Sequence, residues 1–560
     1  MISNSTISEI LELTSKLLTL HDRDENRAKA LGAISFTIDR LTDSIFNLDT
    51  TEIQKIRGIG KSVATSIEEI KTTGSLAELD GLIAETPEGV LELFKVKGIG
   101  VKKIKTLWKE LGIDNLNELR IACENGKIAG TKGFGEKTQT SILESLVFIQ
   151  AQAGKLRMDK GKELSDLVLA ILVDVYPQIV VSGQIANKAD VVDELCYIVP
   201  LKDFGGKKRL PDEFEEDYAE SSPFAWRGNL QGNSMKIVIH FVLEKDFVSS
   251  QIIYSSEEGH LKHVSENLGQ NLFTFLKNKS FSSQEEAYEL FGSKFIPEEL
   301  RVGLGEFELV KSTGLEELIT FEDLKGTVHN HSTYSDGKHT LREMATFCKD
   351  ELGLAYFGIA DHSQSAAYAG GLLPATLIKQ WEEIDQLNIE LGPFKILKGI
   401  ESDILANGSL DYENEILKEF DYVVASVHSG LNMDIEKATD RLIKAIENPY
   451  TTILGHPTGR LLLSRKGYPL DFKKIIDACA ANNVVMELNA SPYRLDIDWR
   501  LIPYCLEKGV KISINPDAHS TAGLLDMKYG VSVARKGGLT KAMTFNAMAL
   551  SEVESFLKKA

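Results

Sequence analysis

GTVHNHSTYSDG, from Gly326 to Gly337, is the most informative stretch of this 560-residue sequence. In an extended strand, residues two apart point to the same side, so the side chains of His329 and His331 converge on one point. Asp336 follows within the same stretch. Two imidazoles and a carboxylate at a strand end suit zinc, manganese or iron. The stretch therefore predicts a strand that ends in a metal site.

The region after Leu324 alternates β-like runs with helical segments. The β-like runs are TVHNH (327–331), AYFGIA (355–360), KILKGI (395–400), YVVASV (422–427), TTILGH (451–456), VVMELN (484–489) and VKISIN (510–515). Seven such strands separated by helices predict a parallel α/β barrel, whose active site would lie at the C-terminal ends of the strands.

Histidines and acids cluster at these predicted strand ends. They are His329, His331, Asp336, Asp361, His362, Glu401, His428, His456, Asp517 and His519. A single histidine at a strand end is more often a hydrogen-bonded core residue than a metal ligand. Six of the chain's 11 histidines, interleaved with acids, instead predict a metal cluster at the mouth of the barrel.

The N-terminal third repeats a glycine-rich pattern in IRGIGKSVATSI (56–67), VKGIGVKKI (96–104) and, more weakly, TKGFGEKT (131–138). In each, a basic residue precedes Gly-x-Gly and a helix start that carries lysine. The glycines permit a tight turn, and the following helix offers free N–H groups to a phosphate. These repeats resemble helix-hairpin-helix motifs, which hold nucleic-acid backbones without reading bases. The alternative is that they are only tight turns between helices.

The residues predicted to contact DNA in these repeats are Gly58, Gly60, Lys61, Gly98, Gly100, Lys102 and Lys103. The stretch GIGKSVATSIEEIKTTGSLAEL (58–79) resembles the N-terminal lyase domain of family X DNA polymerases. Family members with that activity form a Schiff base through a lysine, and Ser66 stands at that position here. A hydroxyl cannot form an imine, so the resemblance does not extend to lyase chemistry.

The middle of the chain resembles the palm of the same polymerases, in IVVSGQIANKADVVDELCYIV (179–199) and MKIVIHFVLEKDF (235–247). The resemblance implies three metal-binding aspartates. Asp193 fits the first position, but Leu195 and Val238 fall on the others. Shifting the alignment places Asp190 or Glu194 at one of these positions, but neither shift restores an Asp-x-Asp pair. Nucleotidyl transfer needs several carboxylates to hold two magnesium ions, so we expect a degenerate palm.

The C-terminal region, from about 325 to 556, resembles the PHP (polymerase and histidinol phosphatase) family. The resemblance rests on ADHS, AGGL, GSLDY, ASVHSG, NPYTTILGHPTGRLL, NASPYRLDIDWR and DAHS, which are similar to the PHP domain of bacterial family X polymerases. All nine ligand positions of the family are filled: His329, His331, Asp336, His362, Glu401, His428, His456, Asp517 and His519.

The family pattern implies three divalent ions of Mn²⁺, Zn²⁺ or Fe²⁺. The first would be held by His329, His331, Glu401 and Asp517, the second by a bridging Glu401 with His428 and His456, and the third by Asp336, His362 and His519. Glu401 and Asp336 are accordingly predicted to be catalytic. Arg460 and Arg494 are predicted to grip phosphate with their planar guanidinium groups, or else to form structural ion pairs.

The resemblance divides the chain into successive domains. These are a lyase-like helical domain with a helix-hairpin-helix motif (1–90), a fingers-like helix-hairpin-helix domain (91–150), a degenerate palm (151–264), a thumb-like region (265–317), a linker (318–324) and the PHP domain (325–560). We therefore expect a multidomain protein with all-α N-terminal domains, an α+β nucleotidyltransferase-like palm and a C-terminal seven-stranded α/β barrel.

The composition bears on DNA binding and on the cellular location of the protein. The formal net charge of −19 disfavours tight, nonspecific attraction to a phosphate backbone. The five cysteines form no C-x-x-C pair and are typical of a reduced, cytosolic protein. Because the sequence has neither a long apolar run nor an export signal, we expect no membrane span and a cytoplasmic location.

We expect a metal-dependent phosphoesterase that acts on DNA in repair, as a 3′-to-5′ exonuclease or a related phosphodiesterase. Three alternatives stay open: an active family X polymerase with a gap-filling role, a phosphomonoesterase of the histidinol-phosphatase kind, and a non-catalytic DNA-binding scaffold. The missing palm carboxylates oppose the first, the N-terminal half opposes the second, and the filled ligand set opposes the third. The sequence leaves the metal and the oligomeric state open.

Overall fold

The computed structural model describes residues 4–39, 41, 44–205 and 210–558, and the chain divides into two units, Met1–Ala153 and Gly154–Ala560. The first unit ends close to the predicted boundary at residue 150. One hydrophobic core runs across the predicted boundary at residue 90, since it includes Ile67 and Ile104. The palm, the thumb-like region and the barrel all belong to the second unit.

The first unit is helical. Its helices are α1 (Asn4–Leu20), α2 (Glu25–Asp39), α3 (Thr50–Ile53), α4 (Lys61–Thr73), α5 (Ala77–Glu85), α6 (Glu88–Leu93), α7 (Val101–Lys105), α8 (Leu116–Glu124) and α9 (Glu136–Gln152). Apolar residues at helical spacing, such as Ile7, Leu11 and Leu18 on α1, are buried in the shared core.

The three Gly-x-Gly repeats adopt the same turn. The first glycine of each repeat has a left-handed backbone, with φ of 93° at Gly58, 83° at Gly98 and 86° at Gly133. The second glycine of each repeat caps the following helix at its N-terminus, at Gly60, Gly100 and Gly135. Residues with a Cβ rarely adopt that left-handed conformation, which explains the repeated first glycine.

The second unit begins with a mixed sheet. Its elements are β1 (Leu156–Arg157), α10 (Met158–Leu172), β2 (Val180–Ser182), α11 (Gly183–Ala186), β3 (Val191–Val192), β4 (Glu194–Leu201), β5 (Phe214–Glu216), β6 (Ala225–Leu230) and β7 (Lys236–Leu243). The sheet order is β2-β4-β7-β6-β5, in which β4 and β7 are parallel and the other pairs antiparallel. The short strands β1 and β3 pair separately.

The thumb-like region is a small helical layer, followed by a segment that packs onto the barrel. Two helices at the end of the predicted palm, α12 (Phe247–Tyr254) and α13 (Glu258–Leu261), precede it, and α12 shares its core through Ile252. Its own helices are α14 (Leu272–Lys277), α15 (Gln284–Phe291) and α16 (Glu306–Ser312). In the predicted linker, Leu318 and Ile319 are fully buried, and the amide of Ile319 donates to the carbonyl of Leu539. Residues 318–324 are therefore a packed connection rather than a free tether.

The C-terminal sheet follows the chain order. Its parallel strands are β8 (Gly326–Thr327), β9 (Tyr356–Ile359), β10 (Lys395–Asp403), β11 (Tyr422–Ser426), β12 (Ile453–Leu454), β13 (Val485–Asn489) and β14 (Ile512–Asn515). A bridge between Asn330 and Ala518 joins the first and last strands just beyond their ends, so the barrel is nearly closed. The predicted fold class is confirmed.

Two apolar layers hold the barrel together. Alternate residues of each strand face opposite sides, so that Tyr422 and Val424 belong to one buried cluster and Val423 and Ala425 to another. The second cluster includes residues of the surrounding helices α17 (Leu341–Asp350), α18 (Pro374–Leu391), α19 (Asn414–Leu417), α20 (Ile435–Ile446), α21 (Phe472–Asn482), α22 (Ile502–Glu507) and α23 (Met527–Lys536). The last helix, α24 (Leu550–Leu557), instead packs on the first cluster through Val553.

Within the described residues, no helix combines the length and the apolar character that crossing a membrane requires.

Candidate metal centre

Glu401 lies at the centre of the barrel mouth. Its side chain is 1% exposed. Oε1 lies 3.2 Å from Nε2 of His329, 3.1 Å from Nε2 of His428 and 2.9 Å from Nε2 of His456. Oε2 lies 3.0 Å from Nδ1 of His362. Four imidazoles from different strand ends therefore converge on one buried carboxylate.

Asp336 and Asp517 extend this cluster. Oδ1 of Asp336 lies 3.2 Å from Nε2 of His519 and 3.6 Å from Nε2 of His362. Oδ1 of Asp517 lies 3.0 Å from Nε2 of His331. All nine predicted ligands thus come together, and His362 faces Glu401 with one ring nitrogen and Asp336 with the other.

The donor set fits divalent metal ions. Five buried atoms of the cluster have no hydrogen-bond partner among the described residues: Nε2 of His329, Nδ1 of His331, Nδ1 of His362, Oε2 of Glu401 and Nδ1 of His456. Unpaired polar atoms are costly in a protein interior, and a cation bound beside Glu401 would satisfy its Oε2 and Nε2 of His329. Four overlapping groups of these residues offer donor atoms within 4.8 Å of one another, close enough to share an ion.

Glu487 orients two of the ligands. Its Oε1 is 2.7 Å from Nδ1 of His329 and also accepts from Nδ2 of Asn515 at 3.0 Å. Its Oε2 accepts the backbone N–H of His456 at 2.7 Å. These bonds leave Nε2 of His329 directed at Glu401. Glu487 was not predicted from the sequence, although a single charged residue inside the apolar run VVMELN was a usable signal.

Asp403 and Asp361 support further ligands without joining the cluster themselves. Oδ1 of Asp403 is hydrogen-bonded to Nδ1 of His428 at 2.5 Å. Asp361 accepts from the amide of Ser332 at 2.8 Å and from Nε2 of Gln380 at 2.7 Å. Its carboxylate therefore fixes the loop that leads to Asp336. Asp403 was missed, although it lies two residues beyond Glu401 on the same strand and hence on the same side.

Burial and neighbouring charges set the protonation of the ligands. Burial raises the pKa of Glu401, but His428, His329 and His362 more than offset this effect and hold the pKa well below its ordinary value. Burial lowers the pKa of His331 to about 3, so its neutral ring has a nitrogen lone pair for a metal. Although burial opposes it, Glu401 raises the pKa of His428 to about 10, so metal binding there must displace a proton.

The two predicted phosphate-binding arginines have different surroundings. Nε of Arg494 lies 3.5 Å from Oδ2 of Asp517, at the edge of the cluster. The guanidinium of Arg460 instead donates to the carbonyl oxygens of Arg494 and Leu495 and to Asp498. These contacts favour the structural alternative for Arg460, whose hydrogen bonds fix the backbone that carries Arg494.

Tyr368 is an exposed aromatic residue at the mouth of the site, which the sequence analysis missed. Its side chain is 63% exposed, and its ring centroid lies 6.3 Å from that of His362. The loop around it is firmly held, since Oγ of Ser365 donates to Asp403 at 2.9 Å and the amide of Leu372 donates to the carbonyl of His362 at 2.8 Å. An aromatic ring is thus presented to solvent from an anchored loop.

The palm residues named from the sequence do not share one face. Leu195 is fully buried in the core beneath α10, together with Ile237. Val238 lies on the opposite face, where its register partner is Cys196. Asp193 precedes β4 and is exposed. Because side chains alternate along a strand, the sequence register was displaced by one residue.

The corrected palm face carries Glu194, Cys196 and Val238. Gly183 adjoins this face, since a Cβ built on it would meet Cβ of Cys196 at 2.7 Å. Glu194 is the one carboxylate at the three positions, and burial raises its pKa. On this face of the sheet the carboxylate is Glu194, whereas Asp193 lies just before β4.

The N-terminal lysines and Ser66 differ in their surroundings. Lys61 and Lys102 are exposed at the starts of α4 and α7, and Nζ of Lys103 lies 3.4 Å from the carbonyl of Gly98. Ser66 is 3% exposed and accepts a hydrogen bond from Arg27 at 3.0 Å. The hydroxyl at the lyase position is therefore buried against a cation.

The barrel, with its cluster of His, Asp and Glu side chains that could hold metal ions, is that of a hydrolase of phosphate ester bonds. The chain is 32% identical, over 575 aligned residues, to the DNA polymerase/3′-5′ exonuclease PolX of Bacillus subtilis strain 168, and the alignment covers 99% of each protein. The chain belongs to this family, the bacterial family X DNA polymerases with a C-terminal PHP domain.

Other relatives match parts of the chain. A probable phosphatase of Thermoanaerobacter sp. strain X514 is 30% identical over 175 residues, which are 30% of this chain and 69% of the relative. A probable phosphatase of Clostridium acetobutylicum is 28% identical over 34% of this chain and 78% of its own length. The SAM-like helix-hairpin-helix tandem model matches residues 90–147, which contain the second and third Gly-x-Gly turns.

Replacing Glu487 by Gln should weaken metal binding about 10- to 100-fold, because an amide offers one acceptor where the carboxylate serves His329, Asn515 and His456. Competition against a chelating dye measures the affinity for Mn²⁺ and Zn²⁺. Glu507→Gln, on an exposed part of α22, is the matched control and should bind as the unmodified protein does. Unchanged affinity in Glu487→Gln would refute the orienting role.

Proposed function

We propose that this protein is a metal-dependent 3′-to-5′ exonuclease, or a closely related DNA phosphodiesterase, that works in DNA repair in the cytoplasm. The single observation that carries the proposal is the convergence of four imidazoles on the buried Glu401 at the barrel mouth. The full-length relative whose name includes 3′-5′ exonuclease supports the choice of DNA.

The nine ligands would hold three divalent ions of Mn²⁺, Zn²⁺ or Fe²⁺. One ion would be held by His329, His331, Glu401 and Asp517, the next by Glu401, His428 and His456, and the last by Asp336, His362 and His519. When bound, such ions make water nucleophilic near neutral pH and neutralise both phosphate oxygens and the departing alkoxide. Glu401 and Asp336 are the catalytic carboxylates in this assignment.

Residues at the barrel mouth would bind the phosphate and orient the metal ligands. Arg494, 3.5 Å from Asp517, is placed to hold a non-bridging phosphate oxygen through its planar guanidinium. Glu487 and Asp403 keep Nδ1 of His329 and His428 occupied, so that the opposite nitrogens stay aimed at the cluster. No side chain has to act as a covalent nucleophile.

DNA is proposed as the substrate because of features outside the cluster. The helix-hairpin-helix turns present Lys61 and Lys102 beside the free N–H groups of two helix starts, a combination that suits a phosphate backbone. Tyr368 offers its exposed ring to the base next to the scissile phosphate. Gly58, Gly60, Gly98, Gly100 and Lys103 complete the proposed backbone contacts.

A phosphomonoesterase is the second candidate, because the partial relatives are named probable phosphatases. An active polymerase is a weaker one, since Glu194 is the single acid on the corrected palm face. Lyase activity is opposed by the buried hydroxyl of Ser66 beside Arg27. A non-catalytic DNA-binding scaffold would not require the nine histidines and acids that come together at the barrel mouth.

Labelled single-stranded, gapped and duplex DNA, incubated with the full chain and Mn²⁺, tests the proposed function. We expect stepwise shortening from the 3′ end, abolished by a chelator and reduced by orders of magnitude in His331→Ala. With nucleotides added, we expect no primer extension. Extension that disappears in Glu194→Gln would reinstate the polymerase, and hydrolysis of small monoesters with no attack on any DNA would leave the phosphatase.

Tyr368→Ala should raise KM for single-stranded DNA about 5- to 150-fold, because stacking one base on an aromatic ring contributes roughly 1–3 kcal/mol. Cleavage of a single-stranded oligonucleotide whose 3′-terminal residue is abasic, and which offers no ring to stack there, should change far less. Tyr368→Phe should retain the KM for DNA. Tyr218→Ala, at a tyrosine 84% exposed on the palm, is the matched control. Equal losses on both substrates would argue against a base-stacking role.

A further inference from the structure

The palm contacts the barrel at the segment that carries Arg494. Arg157, on β1 of the palm, lies with its guanidinium carbon 3.6 Å from the centroid of the Tyr493 ring. NH2 of Arg157 is itself held by Oδ2 of Asp159 at 3.1 Å. Tyr493 immediately precedes Arg494, and its carbonyl accepts the amide of Leu462 at 2.6 Å. A palm cation thus packs on the residue next to the proposed phosphate ligand.

A second palm residue approaches the same segment from another side. Arg460 of the barrel donates from Nε to the carbonyl of Arg494 at 2.9 Å and from NH1 to Asp498 at 3.0 Å. Its NH2 lies 3.9 Å from Oδ2 of Asp190 in the palm. Asp190 is 14% exposed, and its buried Oδ1 has no hydrogen-bond partner within the described part of the chain. The palm therefore supplies a counter-charge to the arginine that fixes the Arg494 backbone.

The connection between these palm residues is short. Asp190 immediately precedes β3, and β3 pairs with β1, which carries Arg157. The carbonyl of Asp190 also accepts the amide of Met158 at 3.1 Å. The two palm contacts thus belong to one small ribbon. Arg157 contacts Tyr493 directly, whereas Asp190 contacts Arg460, which donates to residues 494–498. This ribbon is independent of the corrected palm face with its single acid.

We infer that the β1–β3 ribbon of the palm positions Arg494 for phosphate binding at the metal centre, with Arg157 and Asp190 as positioning residues that act through Tyr493 and Arg460. The inference rests on the proposed function of Arg494 as the phosphate ligand. It assigns the palm a structural role that needs none of the polymerase carboxylates. In this role the palm supports the segment that carries Arg494.

A double-mutant cycle between Arg157 and Arg494 tests this inference in the full chain. Arg157→Ala should lower kcat/KM about 10- to 100-fold for single-stranded DNA and for bis(p-nitrophenyl) phosphate, the loss expected when a catalytic contact is displaced by about an ångström. Bound metal should not change. In an Arg494→Ala background, Arg157→Ala should cause no further loss, because the side chain that it positions is already absent.

Two companion variants separate positioning from general destabilisation. Tyr493→Ala should behave as Arg157→Ala does, whereas Tyr493→Phe, which keeps the ring, should restore activity. Arg535→Ala is the matched control. Arg535 joins the thumb-like region to the barrel through Glu299 at 3.0 Å and the carbonyl of Ile319 at 3.0 Å, so its loss loosens another inter-domain contact without touching residues 493–498.

The inference would be overturned if the losses in the Arg157–Arg494 cycle were fully additive. It would also be overturned if Arg157→Ala and Tyr493→Ala both kept the kcat/KM of the unmodified protein. Neither result would affect the proposed nuclease activity. An unaffected Arg494→Ala would overturn the inference as well. If the unmodified protein hydrolyses only monoesters, the proposed function fails instead. The same cycle measured with p-nitrophenyl phosphate then decides whether the ribbon positions Arg494.

Discussion

The convergence of four imidazoles on the buried carboxylate of Glu401 is the interaction on which the rest of the site depends. An unpaired charge in a protein interior costs several kcal/mol, so a carboxylate that is 1% exposed must be surrounded by groups that compensate it. Here those groups follow four different strands of the barrel. Only a sheet that curves back on itself can bring them around one point.

Closure of the barrel supplies the remaining donors. The amide of His331 donates to the carbonyl of Ala518 at 2.8 Å, which joins the ends of the first and last strands. Asp517 and His519 flank that carbonyl, so one backbone hydrogen bond brings both beside His331. His456 and Asp517 also have left-handed backbones, with φ of 22° and 54°, a conformation that costs about 1–3 kcal/mol and that the surrounding packing must maintain.

The strands, and the histidines and acids that meet at the barrel mouth, could be predicted from the sequence, because six of the seven predicted strands end in a histidine or an acid or are followed by one within two residues. The sequence was insufficient where a role depends on backbone groups far along the chain. Arg460 and Arg494 look equivalent in sequence, yet the guanidinium of Arg460 already donates hydrogen bonds to the carbonyls of Arg494 and Leu495. In the palm, the sequence did not determine which residues of β4 share a face with Val238. An alignment shifted by one residue replaces Leu195, a core residue, by Cys196 on the opposite face of the sheet.

Metal content and activity, measured together for the unmodified protein, Glu401→Ala and His362→Ala, test the central claim most directly. We predict about three ions per chain, activity lower by orders of magnitude in both variants, and a greater loss of metal in Glu401→Ala, because that carboxylate would serve two ions. Both variants should stay folded on the intact apolar layers. A full metal complement with near-normal DNA hydrolysis in Glu401→Ala would contradict the account.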